Sequence, residues 1–434
     1  MNVVKVGLLG LGTVGGGTVN VLAKNSEDIS RRTGCQIVVS KASVRDLRRS
    51  RICETDGIEL TANPQDIIDD AEIQIVVELM GGEEPAKTLI LAALKQGKHV
   101  VTANKALIAN HGNELFAEAS RNNVVLAYEA AIAGGIPIVK VMREGLTANR
   151  IEWLAGIING TANFILTEMR DKGSAFADVL KQAQDLGYAE ADPRYDVEGI
   201  DAAHKLCILA SLAFGVSLNF EKVYTEGISK ITPLDVTYAE ELGYRIKHLG
   251  VARKNATGIE MRVHPTLIPE KRLIANVDGV MNAVVVKGNA VGPTLYYGTG
   301  AGAEATASAV IADVIDICRQ LESANILPAL GFLDEQLQDL ESLSIEDVET
   351  AFYLRISVQD TTGVMAAITS ALANNSISIE AILQKEVAEQ GANTDVILLT
   401  DSVIEKSMTQ ALQDIEALDS TNGSVIRIRV ESLQ

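Results

Sequence analysis

The sequence predicts an α/β protein in three parts, and three observations carry the prediction. Strand-like and helix-like patterns alternate over residues 1–133, the texture changes near Gly134 to longer helical stretches, and residues 350–434 run strand, helix, strand, strand, helix, strand. Alternating βα units with near-continuous apolar strands imply a parallel sheet covered on both faces. The βαββαβ order is the ferredoxin-like arrangement. The expected architecture is a Rossmann-type domain over 1–133, an α+β domain over 134–302, a linker over 323–349 and a ferredoxin-like domain over 350–434.

The elements follow in order. VVKVGLLG is a strand, and a helix from about Gly15 to Lys24 is entered through Gly10, Gly12, Gly15, Gly16 and Gly17. QIVVSKASV, IQIVVELM, HVVTA and VVLAYEA read as further strands, with AKTLILAALKQG a helix before HVVTA. In the second part FADVLKQAQDLG and GIDAAHKLCILASLAFG read as helices, and GIEMRVHPTLI and MNAVVVKG as strands. LYYGTGAGAEATASAVIADVIDICRQL carries glycines into a long helix, expected near 303–322 to pack back on the first domain. The acidic LDEQLQDLESLSIEDVE reads as a linker or short helix. AFYLRISV, VMAAITSALANN, SISIEAILQKEV, TDVILLT, EKSMTQALQDIEAL and SVIRIRV then supply the last domain, with QDTTG and EQGAN as turns.

Composition excludes several classes. A formal charge of −19 repels phosphate backbones, and no basic block interleaved with aromatics offsets it, which argues against nucleic acid. There is no run of about 18 apolar residues to span a bilayer, and the amino terminus reads as a strand rather than a leader. A cytoplasmic protein without a membrane partner is expected. Cys35, Cys53, Cys207 and Cys318 lie far apart without CxxC spacing, so they read as reduced thiols, and zinc is not expected.

Gly10-Leu11-Gly12-Thr13-Val14-Gly15 matches GxGxxG directly after a strand and opening a helix, the setting in which the motif binds a dinucleotide. The first glycine permits the turn, the second lets a pyrophosphate approach, and the third lets helix and strand sit close. At the end of the second strand stands Val44-Arg45-Asp46, with Arg48, Arg49 and Arg51 behind. Arg45 suits the 2′-phosphate of NADP, while Asp46 keeps NAD open. Lys105 in VVTANKALIA and Lys205 in EGIDAAHKLCIL have apolar flanks, and burial tunes a lysine toward acid–base use. Asp201 stands four residues before Lys205, on the same helix face; the spacing also suits an ordinary surface pair.

GLGTVGGG, VVTANKALIA, GIINGTANFIL, LGYAEADPRYDVEGIDAAHKL and YYGTGAGAEATASAVIAD together resemble homoserine dehydrogenase from end to end, and the last domain resembles an ACT domain. The resemblance implies reversible reduction of L-aspartate 4-semialdehyde to L-homoserine with NAD(P)H. Lys205 is then the proton donor, with Lys105 near nicotinamide and substrate and Asp201 in support. Glu190, with Asp196, would meet the substrate ammonium, and Thr161 with Gly160 the carboxylate. The resemblance also implies cofactor contacts at Gly187 and Gly302. It further implies a monovalent cation, sodium, held by Glu129 and the backbone oxygens of Ile132, Gly134 and Ile136. GTGAG stands where the family often has GPGAG. The resemblance also implies a homo-oligomer, a dimer or tetramer. An effector, L-threonine, is expected at Asp360, Gly363 and Val364, where a helix start and a carboxylate complement a free amino acid. The alternatives are another Rossmann oxidoreductase, or a catalytically idle amino-acid sensor.

Overall fold

A computed structural model describes residues 2–321, 327–385 and 393–434. The chain forms two compact units whose segments interleave. Met1–Gly160, Asp201–Val223 and Val280–Leu340 make the first, and Thr161–Ile200, Tyr224–Gly279 and Glu341–Gln434 the second.

In the first unit six parallel strands lie in the order β3-β2-β1-β4-β5-β6: β1 Asn2–Leu9, β2 Cys35–Ser43, β3 Glu59–Thr61, β4 Ile75–Glu78, β5 His99–Thr102 and β6 Leu126–Ala127. Ile75, Val76, Val77 and Glu78 have no exposed surface, which is why this strand reads as a continuous apolar run instead of alternating. The order reverses between β1 and β4, and the crevice at the carboxyl ends of such strands is where doubly wound sheets bind ligands.

Helix α1, Thr13–Lys24, contains Gly15, Gly16 and Gly17, each costing roughly 0.8–1.0 kcal/mol of helix propensity relative to Ala. Close approach explains the run. A Cβ at Gly16 would lie 2.5 Å from the Ile52 side chain, and one at Gly17 would lie 2.5 Å from the Ala303 carbonyl oxygen. The Ala303–Gln320 helix therefore packs backbone-close against α1, and its Val310, Val314 and Ile317 join one core with Val6, Leu8 and Ile75. Two helices absent from the reading above also form here, Ser26–Thr33 and Lys105–Arg121.

The same unit carries a three-stranded antiparallel ladder, Ile151–Ile157, Met281–Gly288 and Gly292–Thr299. The LYYGTG segment is thus a strand that ends before the long helix begins. Its glycines mask the pattern, but ladder pairing with Met281–Gly288 supplies the hydrogen bonds.

In the second unit Tyr244–Lys254 and Ile259–Pro269 form an antiparallel hairpin. The ferredoxin-like module shows the strand order Ile426–Val430, Glu349–Gln359, Asn393–Thr400, Ile379–Gln384, with helices Val364–Asn374 and Glu405–Glu416. Residues 389–392 of the EQGAN turn lie outside the described residues. The module is continuous with the hairpin: Ile426–Val430 pairs in parallel with Ile259–Pro269 through Thr266 opposite Arg429 and Leu267 opposite Val430. The acidic stretch is held as well, since the Ile259 amide donates to Glu341 and the Leu343 amide to Ile259, both at 2.8 Å. Only short 3₁₀ turns form within it, Asp334–Gln336 and Ile345–Asp347.

A buried ionic network seals this join. Arg262, with no exposed surface, donates to Glu260 at 2.9 Å and Glu431 at 2.5 Å, and its third nitrogen lies 2.7 Å from His264 Nε2. Burial, together with Arg429 and Arg262, pushes His264 well below the usual histidine range, so the ring is neutral and accepts from Arg262. Arg429 donates to Glu405 at 2.9 Å and Glu226 at 2.8 Å. Among the described residues no helix is long and apolar enough to cross a membrane.

Candidate active site

The glycine loop sits at the carboxyl end of β1. Gly10 has φ 101°, and a Cβ there would meet the Leu79 carbonyl at 2.9 Å; one at Gly15 would meet the Gly10 carbonyl at 2.4 Å. Gly12 differs, because a Cβ there would point into open space. That opening is where a pyrophosphate can approach the backbone. Beside it lies a cleft of about 400 Å³ lined by Gly10, Gly12, Arg45, Asp46, Arg49 and Arg51 among others. Asp46 turns one carboxylate oxygen back to accept the Arg48 amide at 2.8 Å, leaving exposed Arg45 and its neighbouring guanidinium groups to face an anion. These residues fit a dinucleotide. Thr13 opens α1, and Val14 packs into the core below while its carbonyl accepts from Thr18.

Lys105 is brought to the same edge of the sheet by β5. Fully buried Glu78, at the end of β4, accepts from Thr102 at 2.6 Å and from the Met80 amide at 2.7 Å. Asn104 caps the Lys105–Arg121 helix by accepting from the Leu107 amide at 3.1 Å. Lys105 is thereby the first residue of a helix at the carboxyl end of the sheet.

Three charged groups meet there. Lys205 Nζ donates to Asp201 Oδ2 at 2.6 Å and to the Ile158 carbonyl at 2.7 Å. Lys105 Nζ lies 3.1 Å from Asp201 Oδ1, and Asn159 donates to Asp201 Oδ2 at 2.8 Å. The Ile200–Phe214 helix is buried all round from Asp201 onward, so the i,i+4 pair is no surface pair. Burial pushes the Asp201 carboxyl up, but Lys205 and Lys105 more than reverse this and hold it far below the usual carboxylate range. One permanent carboxylate thus faces two ammonium groups. Asn159 and the Ile158 carbonyl escaped the sequence reading, although both lie in the quoted GIINGTANFIL; nothing local shows that they face a residue of a later helix. Buried His204 stacks on Phe220 with ring centroids 4.1 Å apart.

Glu129 is buried, and its carboxylate accepts the amides of Val139 and Lys140, both at 2.8 Å. Burial, reinforced by Asp313, raises it to about 7. Ile132, Gly134 and Ile136 are buried beside it in sequence. The Ile136 carbonyl accepts from Ile138 at 2.8 Å, and a Cβ at Gly134 would meet the Gly300 carbonyl at 2.5 Å. Among the described residues no group of three or more His, Cys, Asp or Glu is placed to hold a metal. Gly302 caps the Ala303–Gln320 helix with φ 126°.

The remaining predicted residues belong to the second unit. Thr161 Oγ1 donates to the Tyr188 carbonyl at 2.7 Å. Glu190 is exposed, with its backbone carbonyl accepting from Gln184 at 3.0 Å. Asp196 lies in the short helix Arg194–Val197, and Gly187 follows the Phe176–Asp185 helix with φ 77°. In the module Gly363 has φ 98° at the start of the Val364–Asn374 helix, with half-buried Asp360 before it.

Residues 10–129 match the NAD-binding domain of homoserine dehydrogenase, 137–315 the homoserine dehydrogenase family and 352–420 the ACT domain. The chain is 58% identical to a homoserine dehydrogenase of Pseudomonas aeruginosa over 100% of both sequences. The crystal structure of a homoserine dehydrogenase from Thiobacillus denitrificans is similar at a TM-score of 0.95 and 59% identity, covering 100% of this chain and 99% of that one. A hyperthermophilic archaeal homoserine dehydrogenase in complex with NADPH gives a TM-score of 0.62 at 26% identity, over 74% of this chain and 99% of that one. The chain belongs to the homoserine dehydrogenase family, and it is an oxidoreductase with an NAD-binding domain and a carboxy-terminal ACT domain.

Proposed function

We propose that the reversible reduction of L-aspartate 4-semialdehyde to L-homoserine runs at the Lys205–Asp201–Lys105 cluster, with Lys205 as proton donor. The observation that carries this reading is the single buried carboxylate shared by two ammonium groups, at 2.6 and 3.1 Å. A bound nicotinamide would supply the hydride for the aldehyde carbon. As negative charge develops on the oxygen, Lys205 Nζ delivers a proton to it; in the oxidation the neutral amine takes the hydroxyl proton back. Asp201 orients Lys205, and the Lys105 charge favours the developing alkoxide. For the substrate ammonium we propose Glu190 with Asp196, and for its carboxylate Thr161 with the backbone at Gly160.

NADP is the proposed cofactor. Arg45 and the neighbouring arginines of the cleft favour a 2′-phosphate, and the named NADPH complex of a relative supports the same choice. Thr13, Val14, Gly15, Lys105, Gly187 and Gly302 are proposed as further contacts. A sodium ion is proposed at Glu129 with the carbonyls of Ile132, Gly134 and Ile136, since a cation would offset a buried carboxylate that accepts the amides of Val139 and Lys140. The protein is proposed to act in the cytoplasm as a dimer or tetramer. Ile379–Gln384 is the last strand of its sheet, and half-exposed Ile382 lies on it, a ready edge for a second copy. L-Threonine is the proposed effector, with Asp360, Gly363 and Val364 as its first candidate contacts.

The test is oxidation of L-homoserine with NADP⁺ by the full chain and by Lys205→Ala. The variant is expected to bind NADPH normally and to lose turnover. Undiminished turnover would remove Lys205 from the chemistry.

A further inference from the structure

Glu78 ends β4 without any exposed surface and, among the described residues, without an ion pair. A carboxyl group so placed costs stability, and its contacts show what it holds. Oε1 accepts from the Met80 amide at 2.7 Å and from the Gly81 amide at 3.4 Å. These amides belong to the turn at 79–82. Leu79, Met80 and Gly81 line the cofactor cleft, and the Leu79 carbonyl is the group that a Cβ at Gly10 would strike. The second oxygen, Oε2, accepts from the Thr102 hydroxyl at 2.6 Å. Thr102 Oγ1 in turn accepts the Asn104 amide at 3.0 Å, and Asn104, the cap of the Lys105–Arg121 helix, donates its side-chain amide to the Gly82 carbonyl. The chain of bonds closes on itself, from turn to carboxyl to helix start and back to the turn.

We infer that Glu78 is a positioning residue that holds the wall of the cofactor cleft and the start of the Lys105 helix as one piece. The inference rests on the reading above that Lys105 serves the reaction. Asn104 directly precedes Lys105, so the cap sets where the Lys105 main chain stands, and from there Nζ reaches Asp201 Oδ1 at 3.1 Å. Misplacing a reacting group by about 1 Å can cost about a hundredfold in rate. Only a carboxylate serves both arms. Backbone amides donate to it on one side; on the other, Thr102 Oγ1 already accepts the Asn104 amide, which leaves its hydrogen to donate. A glutamine would offer one acceptor oxygen and turn its NH2 group toward the second arm, where another donor stands.

The experiment measures homoserine oxidation, NADPH affinity by fluorescence titration and thermal melting for the full chain and for Glu78→Gln, Thr102→Val and Thr102→Ser. Glu78→Gln is expected to lower kcat and to weaken NADPH binding, each about tenfold. Thr102→Val cuts only the helix arm; kcat is expected to fall about tenfold with the KM for homoserine kept within about twofold, and Thr102→Ser to restore it. If Glu78→Gln melts far below the parent, the two Thr102 variants decide. Parent-like kcat in Thr102→Val, a loss that Thr102→Ser does not restore, or parent-like NADPH affinity in a folded Glu78→Gln would overturn the inference and leave the reaction at Lys205 standing. Should the parent itself fail to oxidise L-homoserine, the reaction reading falls and NADPH affinity alone decides the role of Glu78: about tenfold weaker binding in Glu78→Gln keeps its hold on the cleft, and parent-like binding ends it.

Discussion

Two regions of this chain bury charge and balance it differently. In the first unit one carboxylate, Asp201, faces Lys205 and Lys105. In the second, Arg253, Arg262, Arg427 and Arg429 meet Glu226, Glu260, Glu405 and Glu431, four cations against four anions. Burial alone therefore does not mark a functional site. A closed, neutral network holds elements together, whereas an open cluster with a surplus of one sign leaves a charge to act on something outside the protein.

The sharpest way to break this comparison is to end the chain after Leu343. Were the ACT module an independent sensor, the shortened protein would keep its activity. The strand pairing and the Arg262–Glu431 bond predict instead that the second unit fails to fold, read as lost secondary structure and lost turnover. Native melting behaviour in the shortened chain would show the network to be dispensable. The single variant Glu431→Ala leaves fully buried Arg262 with one fewer anion and is expected to cost about 3–5 kcal/mol of stability, measured by denaturant unfolding.

On the other side of the comparison, Lys205→Ala is expected to lower kcat by about 10² or more, with the NADPH Kd unchanged and a smaller loss in Asp201→Asn. A drop in melting temperature as large as that of Glu431→Ala, with kcat kept, would place the lysine among the structural charges. Arg45→Ala tests a still smaller effect. It removes one exposed cation from the cleft, and the KM for NADPH is expected to rise about tenfold while that for NADH stays level; equal changes in both would end the 2′-phosphate role.

A further effect is a slope. Burial and Asp313 raise Glu129 to about 7 from an ordinary 4.5, so the folded protein holds a proton that the unfolded chain has released. Stability from this group therefore falls as pH rises from about 4.5 to about 7 and is level above. Glu129→Gln is expected to flatten that stretch of a melting-temperature profile taken without sodium. Added sodium is expected to do the same to the parent protein if Glu129 holds the ion.

What was legible in the sequence was local. The GxGxxG turn, the βαββαβ order and the Asp201–Lys205 spacing depend on residues close in the chain, where backbone geometry and side-chain periodicity determine the outcome. Lys105 was found by its motif, but its bond to Asp201 joins separate elements, as do those of Asn159 and the Ile158 carbonyl. Gly17 was visible without a task until the Ala303–Gln320 helix supplied the backbone it accommodates. The Ile259–Pro269 strand states the limit most plainly. Glu260, Arg262 and His264 alternate with Met261 and Val263, and this period-two pattern by itself determined a strand whose polar face reads as solvated. Only the tertiary structure decided that the face is buried, because the Ile426–Val430 strand arrives from the far end of the chain to pair along its edge and brings Glu431 onto Arg262 to neutralise its charge. Periodicity specifies which side chains share a face; what covers that face depends on long-range packing that no local spacing encodes.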